Sequence, residues 1–188
     1  MTKFCSIDIE TTGLDPETCQ ILEIGAVIAD TDGRELTTFH CYVKHDLYQG
    51  EAFALAMNSA ILQKLDNPEN LDVTEVVSEF AWWLYHFWDS PKVLFAGKNF
   101  GSFDLQFLKK LPGFNRDIKY YHAFLDPGPL YFDPKIDTTI PNLAKCLKRA
   151  GIGSVVTHTA LEDAHLVKHL IQSYYSKEVQ GALDKEKT

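Results

Sequence analysis

Two acids stand two residues apart near the start of the chain, in KFCSIDIETTGL (residues 3–14), inside a run otherwise typical of a β-strand. Side chains alternate along a strand, so Phe4, Ser6, Asp8 and Glu10 share one face and Cys5, Ile7 and Ile9 the other. That puts Asp8 and Glu10 about 6.5–7 Å apart, near a strand end, where open α/β sheets place ligands. Taken alone, the pair suits a solvated edge strand equally well.

Two further acids sit where apolar residues belong. In GKNFGSFDLQFLKKL, Asp104 falls at helical spacing with Phe100, Phe107, Leu108 and Leu111, so it heads an apolar stripe. In HTALEDAHLVKHLI, Thr159 and Glu162 make a T-x-x-E capping box that starts a helix at about Ala160. Asp163 then joins a stripe with Ala160, Leu166, Val167 and Leu170, while His158 lies on the preceding loop and can swing over the site. A buried lone carboxylate costs several kcal/mol or stays protonated unless a cation meets it. Four acids gathered at the core edge repel one another, and hard divalent cations with oxygen ligands remove the difficulty. Carboxylates on the ends of several elements, with a histidine nearby, describe a two-metal phosphoryl-transfer site. Asp8 and Glu10 are then metal ligands, with Asp8 placed to bridge.

The elements that must carry these residues can be read in order. Residues 3–10 are a strand, CQILEIGAVIAD a second, and Asp32-Gly33 a turn into a third, RELTTFHCYVK, which gives an antiparallel meander. NSAILQKL is a short helix, and VTEVVSEFAWWLYHFWDS a longer one ended by Pro91. KVLFAG suits a buried parallel strand, SFDLQFLKKL a helix stopped by Pro112-Gly113, and YYHAFLDP an edge strand. Thr138–Ala150 and Leu161–Tyr175 complete the pattern as helices. Strands first, then alternating helix and strand, predict an α/β fold with a mixed sheet covered on both faces. One domain is expected over residues 1–175, with a flexible tail over 176–188.

Composition narrows the function classes. The chain has 188 residues, 45% of them hydrophobic, which suits one domain with its own core. A net charge of −8 argues against a protein that wraps duplex nucleic acid, but not against one that holds a short strand end at a metal centre. Cys5, Cys19, Cys41 and Cys146 make no zinc spacing and read as core thiols of a reducing compartment. The first residues already read as a strand and not as a signal peptide, and the longest apolar run, FAWWLYHFW, is about half a membrane span. A cytoplasmic protein without membrane contact is expected.

Three segments then resemble a known family. DIETTG is similar to the first motif of the DEDDh-type 3′–5′ exonucleases (oligoribonuclease, ribonuclease T and proofreading exonucleases), NFGSFD to the second and HTALED to the third. The resemblance covers nearly the whole chain. It implies a ribonuclease-H-like fold with a five-stranded mixed sheet. It implies that Asp8, Glu10, Asp104 and Asp163 hold two Mg²⁺ or Mn²⁺ ions, with His158 as general base. It implies a substrate of single-stranded DNA or RNA 3′ ends, shortened to 5′-mononucleotides, received by Thr11, Thr12, Gly13 and Leu14 with Phe103 as a stacking platform. A homodimer is left open. The segment YHAFLDPGPL departs from oligoribonuclease, with Ala123 and Gly128 in place of an arginine and a serine, which weakens a strictly dinucleotide-specific reading. Two competing readings are a non-catalytic interaction module of the same fold and a polymerase-associated proofreading subunit. Outside the motifs, Lys98 is placed to touch substrate phosphate. Glu23, alone in an apolar strand, is either a brace for the metal site or a structural acid.

Overall fold

The computed structural model describes residues 2–153 and 159–186, with side chains as far as Ser176. The meander forms as expected. Strands β1 (Lys3–Thr11), β2 (Ile21–Asp30) and β3 (Glu35–Lys44) pair antiparallel, with Asp8 opposite Gly25, Glu10 opposite Glu23, and Glu23 opposite Tyr42. A parallel strand closes each side, β4 (Leu71–Asp72) beside β3 and β5 (Phe95–Ala96) beside β1, so the order is β4-β3-β2-β1-β5.

The alternation read from the sequence decides which layer each side chain enters. Cys5, Ile7 and Ile9 of β1, with Ile24, Ala26 and Ile28 of β2, pack against Val76, Val77, Phe80, Trp83 and Leu84 of α3 (Val76–Phe87). The opposite face takes α8 (Ala160–Glu186), where Phe4 meets Val167 and Ile171, and the Ser6 hydroxyl donates to the Ala164 carbonyl at 2.7 Å. Asp8 and Glu10 therefore look toward the start of α8. At Gly25 a Cβ would stand 2.1 Å from the Leu161 backbone nitrogen, so only glycine lets the first turn of α8 rest directly on β2.

The remaining helices are short. Helices α1 (Ala52–Met57) and α2 (Ser59–Leu62) follow β3, and α4 (Asp104–Leu108), α5 (Phe114–Asp117), α6 (Pro127–Leu130) and α7 (Leu143–Ala150) follow β5. Four expectations change. Helix α1 was not foreseen. YYHAFLDP is no edge strand: it contributes only two parallel bridges, Val93 with Tyr120 and Ala96 with Leu125. Helix α7 starts at Leu143 and not Thr138, because a residue before proline avoids helical geometry and Pro141 stands in the way; Asn142 instead caps the Lys145 amide at 3.0 Å. And α8 does not stop at Tyr175. It continues to Glu186, because SKEVQGALDKE is rich in good helix formers and has no proline.

Candidate metal centre

The end of β1 and the first turn of α8 bring three of the predicted acids together. Asp8, Glu10 and Asp163 each offer a carboxylate oxygen, and these atoms lie within 4.8 Å of one another. Asp8 is half-buried, and Glu10 and Asp163 are buried. Asp104, the first residue of α4, is also buried; it stands outside this close group but is the strongest charge acting on Asp8. His158 lies outside the described residues.

Gathering these acids has an electrostatic cost. Burial, then the charges of Asp104, Glu10, Asp163 and Glu23, push Asp8 well above the ordinary carboxylate range. Burial, then Glu23 and Asp163, push Glu10 up to about 7, against a hydrogen bond from Asn58 that works the other way. Burial raises Asp104 to about 7 as well; its own amide and that of Ile9 oppose this, while Glu10 and Asp126 add to it. The donor set is all oxygen and hard, and cations would replace the protons these groups otherwise keep near neutrality. It suits a hard divalent cation, which Asp8, Glu10 and Asp163 could hold between them.

A slot of about 250 Å³ opens beside Glu10. Thr11, Gly13, Leu14 and Phe103, four of the five residues expected to receive substrate, line it. Thr12 does not: its hydroxyl donates to the Gln49 carbonyl at 2.5 Å and accepts from the Gln20 amide at 2.8 Å, which laces the turn after β1 to the loop before α1. The far wall is α1, which the sequence reading missed. Phe53 is 79% exposed and Leu14 73%, so two large apolar side chains stand open at the rim, with Met57 beside them. The signal was available, since Phe53 and Met57 are four apart and share a helix face. Asn58 joins this wall to the acids: its amide donates to the Thr11 carbonyl at 2.9 Å and also bonds Glu10. Lys98 is held in place, its ammonium bonded to the Asn99 side chain and 3.7 Å from Asp126. Asn99 itself is the one non-glycine residue with positive φ (61°) among those described.

The chain belongs to the exonuclease family designated RNase_T, whose model matches residues 5–170. It is 28% identical over 127 residues to the 3′-5′ DNA exonuclease Cap18 of Escherichia coli, covering 67% of this chain and 60% of that protein. It is 26% identical over 167 residues to the PolC-type DNA polymerase III of Thermotoga petrophila, covering 87% of this chain but 11% of the polymerase. Among solved structures, the nuclease domain of 3′hExo, a DEDDh family member bound to rAMP, superposes with a TM-score of 0.72 at 17% identity, covering 93% of this chain and 92% of that one. Escherichia coli exonuclease I in complex with a dT13 oligonucleotide gives 0.69 at 16% identity, over 99% of this chain and 43% of that one. These likenesses establish the fold, a ribonuclease-H-like mixed sheet flanked by helices, as the motifs implied. Among the described residues no helix is long and apolar enough to cross a membrane.

Proposed function

We propose that this protein is a metal-dependent 3′–5′ exonuclease of the DEDDh type acting on single-stranded DNA or RNA ends. The observation that carries the reading is the convergence of Asp8, Glu10 and Asp163 within 4.8 Å at the end of β1. Two divalent ions held there, with Asp104 completing the set, would supply Lewis-acid activation of the attacking water and the scissile phosphate. The chain's own part is to position. Leu14, Phe53, Met57 and Phe103 offer apolar walls for the terminal base, and Gly13 lets the backbone come close. His158 is assigned as the general base from its place in HTALED, since an imidazole accepts a proton near neutral pH. Relatives named for DNA and a neighbour bound to rAMP support either sugar. The PolC-type match supports a second setting for the same chemistry, proofreading beside a polymerase.

The test uses 5′-end-labelled single-stranded DNA and RNA oligomers with Mg²⁺, Mn²⁺ or EDTA. A ladder shortening by single nucleotides from the 3′ end, abolished by EDTA, is expected. No shortening under any metal, or loss of the 5′ label first, would overturn the assignment.

A further inference from the structure

Two buried acids are left over after the four motif acids are placed: Asp137, which is paired with Lys145 and Arg149, and Glu23. Glu23 is 1% exposed, in the middle of the sheet on β2, opposite Glu10. An acid here works against the site, because its charge raises both Asp8 and Glu10. An apolar residue would fill the strand position without that penalty. Glu23 is not in the close carboxylate group either, and both its oxygens are engaged elsewhere. One lies 2.7 Å from His40 Nε2 on β3. The other accepts from the Ala160 amide at 3.3 Å, the first residue of α8.

That second contact satisfies an amide that a helix start leaves without an intrahelical partner. It also acts at the one turn that matters to the site. Asp163 is three residues on from Ala160, and its own amide closes the turn on the Thr159 carbonyl at 3.0 Å. Gly25, two residues along from Glu23, lets the same turn sit against the strand. His40 in turn is packed edge-on to Tyr42 at 4.9 Å, and Tyr42 takes a hydrogen bond from Lys64 at 2.9 Å. A chain of contacts thus runs from the surface of β3 through His40 and Glu23 to the base of the helix that carries Asp163.

We propose that Glu23 is a positioning residue of the metal centre: anchored by His40, its carboxylate fixes the first turn of α8 and so the place of Asp163 against Asp8 and Glu10. The role belongs to its geometry and not to its charge, and it rests on the metal-centre reading above. Glu23→Gln keeps an oxygen for the Ala160 amide and an NH₂ toward the His40 ring while removing the charge. Glu23→Ala removes both tethers.

The experiment is calorimetric titration of Mn²⁺ into the full chain without nucleic acid, for wild type, E23A and E23Q, with amide hydrogen exchange followed at Ala160. E23A should bind Mn²⁺ about 10–100-fold more weakly, the usual cost of losing a partner behind a ligand, and should exchange faster at Ala160. E23Q should stay close to wild type in both. Wild-type affinity in E23A, or a loss in E23Q as large as in E23A, would overturn the proposal. If E23A does not fold, H40A cuts one end of the same anchor and should show a smaller loss of Mn²⁺ affinity; an unchanged affinity there would overturn it equally. A wild-type protein that binds no Mn²⁺ would remove the metal-centre reading itself, and this proposal with it.

Discussion

Raising the pH from about 5 to about 8 without divalent cations should destabilise this protein, the reverse of what paired surface carboxylates do. Glu10 loses its proton at its ordinary value of 4.5 in the unfolded chain and at about 7 in the fold. Between those values the folded state binds more protons, so each step up in pH favours unfolding. The stability that the neutral acid provides is complete below about pH 4.5 and gone above about pH 7. At about 1.4 kcal/mol per pH unit, Glu10 alone accounts for on the order of 3 kcal/mol. Asp104 acts in the same direction, since it too is raised to about 7. For a domain of this size the Glu10 contribution means a fall of about 6–12 °C in Tm. Asp137, held below the usual carboxylate range by hydrogen bonds from Arg149 and Lys145, works in the opposite sense but only below about pH 4, outside the window. Thermal unfolding in EDTA across this range reads the effect directly. Mn²⁺ should restore the loss at the upper end and do little at the lower end, and Glu10→Gln should flatten the EDTA curve. A Tm that is flat or rises between pH 5 and 8 in EDTA would refute the electrostatic account.

Asp163→Asn should abolish metal-dependent cleavage in the ladder assay while raising the Tm in EDTA, because it removes one of the charges that raise Asp8 and Glu10. Phe53→Ala should leave Tm unchanged, since the ring is 79% exposed, but raise KM for oligomers about 5- to 100-fold if it stacks on the terminal base. Gly25→Ala should cost at least about 1–3 kcal/mol in denaturant unfolding and weaken Mn²⁺ binding together, because its methyl would collide with the Leu161 amide and push α8 off the sheet.

The parts of the site that were legible in the sequence are those fixed by local periodicity. The two-residue alternation of β1 told which face Asp8 and Glu10 share, and the structure puts α8 on that face. The start of α8 was legible because Thr159 and Glu162 mark it; here the Thr159 hydroxyl donates directly to the Glu162 carboxylate at 2.7 Å. The stripe containing Asp104 predicted its burial, although the helix it heads is only a turn and a half of regular structure. What stayed hidden depends on contacts between distant segments. The hydroxyl of Thr12 is engaged by Gln49 and Gln20, partners 37 and 8 residues away along the chain. Helix α1 carries no side-chain cap, so only the four-residue spacing of Phe53 and Met57 hinted at the wall it forms. The two partners of Glu23 lie 17 and 137 residues away along the chain, beyond any local pattern.

The central claim is that Asp8, Glu10 and Asp163 come together to hold divalent cations. A crystal of the protein grown with Mn²⁺ and measured at the manganese absorption edge tests it most directly. Anomalous peaks coordinated by these three carboxylates are the predicted result. A map without a peak there at saturating Mn²⁺, or with manganese bound only at other surface acids, would contradict it.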